Sequence, residues 1–436
     1  MALPFIIDAF TAETARHYLE IIRLTRHQYL LNGIITSHPW LRLSATPYYL
    51  FFPILAATRF HPLTIAYAWF ITSAVTVFVN YFTINKIFDR KTAIISSVLL
   101  AISPAYWWLN HVPDFFNYIL PLTYLLLLLV DLIARNKVKK IWPVFLVIGF
   151  MTTLHASALM LLLFFLGLFV YWKKMTVKES VYSAIAFLVP NVPFLLVDGQ
   201  KHFAMTRDLF LWIPYKVFNF ATGKTLGVSH AVVADETLSD VLNFFKASIF
   251  PDRFPFWLGL VVIILIGGYF LGKNRNRWEK VFFCWLGFGV LVLIVHKNPP
   301  FHYFMPIFIL PIILIARIFS RIASSHAGRL TVLIVIAVIA TINLFFVFYD
   351  RPVGSYVTYS DQLKAARFII DDARGQPFKL SRIGRFDYYP NQFKDNYEYL
   401  LWWLGNRPVS KANLKYTVVE KESKSGKMTV TVYKSD

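Results

Sequence analysis

Residues 111–119 read HVPDFFNYI, and the apolar run that follows reaches Ile133. Asp114 therefore stands at the mouth of a candidate membrane span. Two readings compete for it. An Asp just ahead of a helical run accepts backbone N–H bonds as a cap. An ionisable group at membrane depth is costly and by default marks function. The readings are compatible, because a carboxylate pinned at a helix start is well oriented. A second set of candidates lies in residues 12–30, AETARHYLEIIRLTRHQYL. Read as a helix, this stretch puts Glu13, Arg16, Glu20, Arg23 and His27 at three- and four-residue steps on one face. Ala15, Leu19 and Ile22 line an adjoining apolar face. Such a stripe is commonly a solvated, salt-bridged face of a helix at a membrane surface. Glu13 differs, because it opens the helix directly after the short apolar start MALPFIIDAF.

Other side chains fit anion chemistry. His38, in TSHPWL (36–41), puts an imidazole beside a proline ahead of an apolar stretch, although a lone His there is more often a hydrogen-bonded turn residue. His302 and Tyr303, in NPPFHYFMPIFILP (298–311), sit where a late span begins. Their donors would suit a phosphate near the interface; Tyr is also a common interfacial anchor. Residues 198–253 carry Lys201, His202, Arg207, Asp208, Lys216, Lys224 and His230 among aromatics, as an anion-binding lid or an ordinary surface loop.

These residues must be held by a membrane scaffold. The 436-residue chain is 57% hydrophobic and only 16% charged, with a mean hydropathy of +0.53. Ordinary globular domains are about one quarter charged. Candidate spans fall at 63–84, 91–107, 115–133, 141–154, 156–172, 180–197, 254–272, 279–296, 301–317 and 330–349. The turns NKIFDRK, ARNKVKK, WKKMTVK, KNRNRWEK and RIFSRIASSHAGR are basic and occupy every second junction, which makes them cytoplasmic. This asymmetry accounts for the net charge of +20 and argues against nucleic acid as the partner. Residues 1–62, the 108–114 turn, loop 198–253 and residues 350–436 then lie on the other side.

The expected architecture is an all-α polytopic membrane protein of about ten spans with a small α+β extracytoplasmic domain. Residues 1–62 form a first loop with amphipathic and re-entrant helices, 63–349 the transmembrane region and 350–436 the outer domain. Within the first loop, the proline-broken stretch 39–62 is a poor straight span, and a re-entrant pair of short helices fits it better. In the outer domain, YSDQLKAARFIIDDARG has helical spacing, and YTVVEKESKSGKMTVTVYK alternates as two strands about a turn. Cys284 is the one cysteine, so no intrachain disulfide forms. The start lacks the basic region and apolar length of a secretory signal. No Walker A loop, GxSxG, HExxH or zinc-spaced Cys/His cluster occurs. A proton-coupled transporter would show more buried acids and related halves.

Taken together, the order ETAR (13–16), LLNGIITSHPWL, TPYYLFFPIL, IFDRK, AISPAYWWLNHVPD and HYFMPIFILP resembles the GT-C superfamily of membrane glycosyltransferases. The nearest resemblance is to bacterial enzymes like family 39, with its protein O-mannosyltransferases and lipid A aminoarabinose transferases. It covers the whole chain, most clearly 8–133, and rests on order and spacing. It implies a catalytic acid in the first external loop, matched by Glu13, with Thr14 where the family has a second acid. Asp8 is the competing candidate. The family's second external acid matches Asp114. His38 matches the first His-Pro, and His302-Tyr303 the late span start. Arg16, Tyr48, Tyr49 and His111 fall within the matched stretches as substrate-binding candidates. The resemblance also implies a first transmembrane helix ahead of this loop.

The implied activity is transfer of a sugar from a polyprenyl-phosphate donor in the bilayer to an extracytoplasmic glycan, lipid or protein. A carboxylate would act as base, and cationic groups would stabilise the departing phosphate. Membrane lipid and the donor are the implied partners, in the cytoplasmic membrane of a prokaryote. The resemblance implies inversion at the anomeric carbon with no cofactor and no metal. The residues themselves leave a divalent metal open. They also leave open a catalytically inactive binding or assembly protein of the same fold, or a transporter of lipid-linked glycan.

Overall fold

In hydrocarbon every backbone polar group needs an internal partner, so the leucine- and phenylalanine-rich runs fold as helices. The computed structural model describes residues 10–36, 40–111, 113–222, 236–272, 275–349, 357–384, 393–423 and 428–435. The chain opens with α1 (Ala12–Ile22), a hairpin of β1 (Asn32–Ile35) and β2 (Arg42–Ser44), and α2 (Thr46–Ala57). Then come α3 (Thr64–Ile87), α4 (Arg90–Ala101), α5 (Pro104–His111), α6 (Ile119–Ala134), α7 (Trp142–Leu154) and α8 (Leu159–Tyr171). They are followed by α9 (Val177–Leu188), α10 (Val192–Gln200), α11 (Ala204–Thr222), α12 (Thr237–Ala247) and α13 (Leu258–Leu271). The last long helices are α14 (Arg277–His296), α15 (Ile309–Ile322) and α16 (His326–Tyr349).

The protein is a multi-pass integral membrane protein. Among the described residues, five helical stretches are long and apolar enough to cross a bilayer. Two bent pairs raise this to seven: α4 with α5, bent by 54°, and the 310 turn Phe301–Ile307 with α15, bent by 53°. The other three expected spans are short apolar helices: α7, the stretch Ala156–Tyr171 and α13. At 13 residues α7 reaches about 20 Å, against a hydrocarbon core of about 30 Å. It packs closely on α9 because Gly149 leaves no Cβ against the Phe187 backbone.

The basic turns gather at one end of the bundle. There Glu279, closed in a capping box with Asn276, accepts Arg317 and Arg321 at 2.8 Å each and the Tyr269 hydroxyl at 2.8 Å. Arg317 also pairs with Asp89, the N-cap of α4. Nearby, Arg135 bonds Asp131 at 2.8 Å and the Lys86 carbonyl. This knot joins α4, α14 and α15, and α15 leads back to His302 and Tyr303 at the other end.

Three local expectations change. The helix expected over 12–30 ends at Ile22 in a 310 turn, Arg23–Arg26, and His27 closes it at φ 55°. In the expected stretch 39–62, the described residues 40–62 hold strand β2 and the single helix α2 rather than a helix pair. Pro47 sits in the first turn of α2, where its missing N–H costs nothing. The Ser44 and Thr46 hydroxyls tie this corner to the Pro190 carbonyl at 2.9 and 2.5 Å. Loop 198–253 is mostly helical, as α11 and α12. Lys224 and His230 lie outside the described residues.

The described residues between 357 and 435 form the α+β unit. Helix α17 (Tyr359–Ala373) follows the expected pattern and ends with Arg374 and Gly375 at positive φ. Strands β4 (Lys415–Glu422) and β5 (Met428–Ser435) pair antiparallel, as their alternation predicts. A third strand, β3 (Lys379–Ile383), adds parallel to β4. Helix α18 (Asp395–Trp403) lies against α1 through Tyr399, whose ring meets Phe10 at 5.4 Å and Tyr18 at 5.2 Å. The Tyr399 hydroxyl bonds the Phe60 carbonyl at 2.5 Å, next to the start of α3.

Candidate functional site

The start of α1 is fixed on both sides. Thr11 caps it, accepting the Thr14 N–H at 3.1 Å. The Thr14 hydroxyl donates to the Pro113 carbonyl at 3.3 Å. Thr14, standing where a second acid was expected, thus straps α1 to the residue before Asp114. The Asn117 amide donates to the Leu109 carbonyl at 2.9 Å and closes the same corner.

Asp114 caps the 310 turn Phe115–Tyr118 at the head of α6, and its Oδ1 accepts the Phe115 N–H at 2.5 Å. It is 7% exposed. The cap reading of this residue holds: Oδ1 is the cap, and Oδ2 accepts no hydrogen bond from the described residues. The Glu13 carboxylate likewise has no hydrogen-bond partner among them. Glu13 is open to solvent at the start of α1. Burial holds its carboxyl above the usual range, opposed by the Arg16 guanidinium. Burial first, and the Glu13 charge second, push Asp114 up to about 7. Burial and the nearby Glu13 charge together favour the protonated form of Asp114.

His17, one turn along α1 from Glu13, completes this half. Its Nδ1 lies 2.9 Å from the Tyr48 hydroxyl and its Nε2 4.0 Å from Asp114 Oδ1. Burial, aided by Arg16, lowers its pKa to about 3, so the ring is neutral at physiological pH. Burial likewise keeps the Tyr48 phenol protonated. Phe115 packs edge-on against His17 at 4.9 Å.

The next residue, Phe116, faces a second cluster. Its ring lies 5.3 Å from His302 and 6.3 Å from His155. His155, at the break between α7 and α8, meets His302 at 5.0 Å and Tyr303 at 4.9 Å, and Tyr303 meets His296 at 4.9 Å. Two lysines adjoin this group. Lys216 of α11 donates to the His296 carbonyl at 2.9 Å and stands 5.2 Å over Trp212. Lys297 donates to the Asn219 carbonyl at 3.2 Å. Burial first and the Lys297 charge second lower the Lys216 pKa. Neither lysine has a carboxylate partner among the described residues. The turn Phe115–Tyr118 therefore carries the carboxylate half on one side and the imidazole and lysine half on the other.

The remaining candidates separate. Arg16 is committed to Asp395 of α18 at 2.7 Å. The Tyr49 hydroxyl is occupied by both backbone groups of Leu30, at 2.8 Å each, and braces the hairpin. Glu20 and Arg23 form the expected exposed pair, and Arg207 pairs with Asp208. His111 ends α5, and its side chain lies outside the described residues, as do Asp8 and His38. Sequence reasoning missed His17, His296 and Lys297 as site residues. A signal was present: HKNPPFHY places five side-chain donors within eight residues. Among the described residues no three His, Cys, Asp or Glu side chains are grouped to hold a metal ion.

No protein-family model matches the sequence, and no curated protein does. Among solved structures the chain is similar to ArnT from Cupriavidus metallidurans bound to undecaprenyl phosphate. The TM-score is 0.57 at 10% identity, over 98% of this chain and 94% of that one. The chain thus shares the overall polytopic fold of that ArnT structure.

Proposed function

We propose that this chain transfers a sugar from a polyprenyl-phosphate donor to an acceptor hydroxyl or amine at the membrane surface. The fold supports a lipid-linked donor, since the similar ArnT structure holds undecaprenyl phosphate. The observation that carries the reading is the pair of half-sites on either side of Phe115–Phe116. One half holds two carboxylates with free oxygens. The other holds two lysines without acidic partners, beside His302 and Tyr303. A lone carboxylate pair would suit proton handling alone, and lysines alone would suit any anion. Side by side they match a nucleophile that must lose a proton and a phosphate that must leave with its charge.

In this mechanism Glu13 takes the proton of the acceptor as its oxygen or nitrogen bonds to the anomeric carbon. The bond from that carbon to the phosphate oxygen breaks, and the electron pair leaves with the lipid phosphate. Lys216 and Lys297 stabilise the developing charge, with His302 and Tyr303 beside them. Asp114 orients the acceptor and shares the pair's proton with Glu13. Asp8 remains the alternative base. The site end of the bundle would face outward from a prokaryotic cytoplasmic membrane, with the α+β unit there and the basic turns inside.

The test is transfer of label from a panel of polyprenyl-phosphate sugars by the protein in lipid, beside Glu13→Gln and Asp8→Asn. Removing a general base should lower kcat by about 10²–10⁴-fold, so loss in a folded Glu13→Gln protein supports the assignment. Loss only in Asp8→Asn moves the base to Asp8. A wild-type protein that neither binds nor turns over any donor sinks the reading.

A further inference from the structure

Asp114 is pinned at one oxygen, and the groups that pin it extend into a chain. Phe115 N–H donates to Oδ1 at 2.5 Å, and His17 Nε2 faces the same oxygen at 4.0 Å. On the far side of the ring, Nδ1 lies 2.9 Å from the Tyr48 hydroxyl. Both Tyr48 and His17 are buried, at 1% and 5% exposure. Phe115 contacts both rings, at 4.9 Å from His17 and 6.2 Å from Tyr48, which leaves little room for either to turn.

We infer that His17 is a positioning residue for Asp114: the Tyr48 hydroxyl donates to Nδ1, so the single ring proton sits on Nε2 and faces Asp114 Oδ1. The role in turnover rests on the transferase reading above; the geometry stands without it. A neutral imidazole carries one N–H, and the hydrogen bond at one nitrogen decides which nitrogen bears it. If Nδ1 held the proton, the Nε2 lone pair would face the carboxylate, which repels it. With the proton on Nε2, the ring dipole favours the ionised carboxylate. At 4.0 Å this is an electrostatic contact and not a direct hydrogen bond. Its effect is to hold Oδ1 against the 310 turn, leaving Oδ2 for substrate or for the proton shared with Glu13.

The other charged and titratable groups around this chain are Glu13 and Arg16 on α1. Around Tyr48 there are also Glu20 and Arg42. Tyr118, on the turn itself, and His302, across Phe116, complete the set. Arg16, Glu20 and Arg42 act on His17 or Tyr48 through charge alone; removing the Tyr48 hydroxyl leaves those charges in place and tests the relay.

The experiment is an infrared pH titration of the protonated carboxyl band in the full chain in lipid, with Asp114→Asn identifying the Asp114 component. Tyr48→Phe keeps the ring and deletes only the donor. It should let the proton move to Nδ1 and raise the Asp114 transition by about one pH unit, since an adjacent lone pair disfavours the charged form. His17→Phe should raise it as well, and His17→Gln, which restores an N–H donor, should return it toward wild type. Nitrogen chemical shifts of labelled His17 should show the proton on Nε2. A wild-type proton on Nδ1, or an unmoved transition in both folded Tyr48→Phe and His17→Phe, overturns the inference. If Tyr48→Phe fails to fold, the His17→Phe and His17→Gln pair decides alone. Sugar transfer measured on the same samples separates the two claims. A shifted titration with no transfer by wild type would leave His17's position standing and the transferase reading fallen.

Discussion

Asp114→Asn should make the folded protein more stable and less active, and the stability gain should depend on pH. The substitution keeps an oxygen to accept the Phe115 N–H and removes only the ionisation. Burial, with the Glu13 charge second, lifts Asp114 from an ordinary 3.8 to about 7. Its folded-state pKa is thus raised above the unfolded one. The stability this group allows is fully present below pH 4, where both states are protonated. It is lost as pH rises toward 7, because the unfolded chain gains its charge first. Above pH 7 the loss is complete. About three units at roughly 1.4 kcal/mol each give a cost of the order of 4 kcal/mol. At pH 5 only about 1.2 units have been spent, or roughly 1.7 kcal/mol. Asp114→Asn removes this cost, so its advantage over wild type should be about two and a half times as large at pH 8 as at pH 5. Unfolding of lipid- or detergent-held protein, followed by tryptophan fluorescence at both pH values, reads the gap. Because large membrane proteins often unfold irreversibly, the comparison is best made on inactivation rates as well as midpoints. A variant no more stable than wild type at pH 8, or a gap that ignores pH, refutes the claim that Asp114 is held against its own ionisation. The same protein should have lost transfer, the trade expected where a site is kept at the expense of stability.

Two further outcomes test the rest. Lys216→Gln should weaken donor binding by roughly 10–100-fold, the range for one charge-assisted hydrogen bond. Titration with labelled donor in lipid checks this, and unchanged affinity would place the phosphate elsewhere. Glu279→Gln should destabilise the basic end by about 3 kcal/mol, because Arg317 and Arg321 lose their shared carboxylate. Chemical unfolding measures the loss, and transfer by the protein that remains folded should be unchanged.

What could be read from the sequence was what one element reveals by itself. Asp114 announced its cap by standing before a helical run, and β4–β5 announced their pairing by alternation. The turns sorted into two ends because basic charge cannot be left in hydrocarbon. What could not be read depends on distant partners. His17 looked like one more polar residue on α1, because Tyr48, which fixes its ring, is 31 residues away. Arg16 looked like a substrate cation until α18 supplied Asp395, 379 residues on. The β1–β2 hairpin has four- and three-residue strands, too short to show a period of two. Helix α11 was hidden by Pro214 inside it and by a composition that mixes lysine with aromatics.

The contact between α1 and α18 also sets an order of events in time. Glu13 is made before the membrane bundle, but the residues that seat its helix, Asp395 against Arg16 and Tyr399 against Tyr18, are made only after it. Loop closure over so long a separation waits for the intervening helices to be in place. Until then, these anchors for the carboxylate at position 13 do not exist, whatever the state of the membrane bundle. A ribosome stalled before residue 395 would therefore leave an inserted bundle with its lysine and imidazole half formed and Glu13 unseated. On the proposed transferase function, such a nascent chain would hold a lipid phosphate before it could turn one over, and activity would begin with the arrival of the α+β unit.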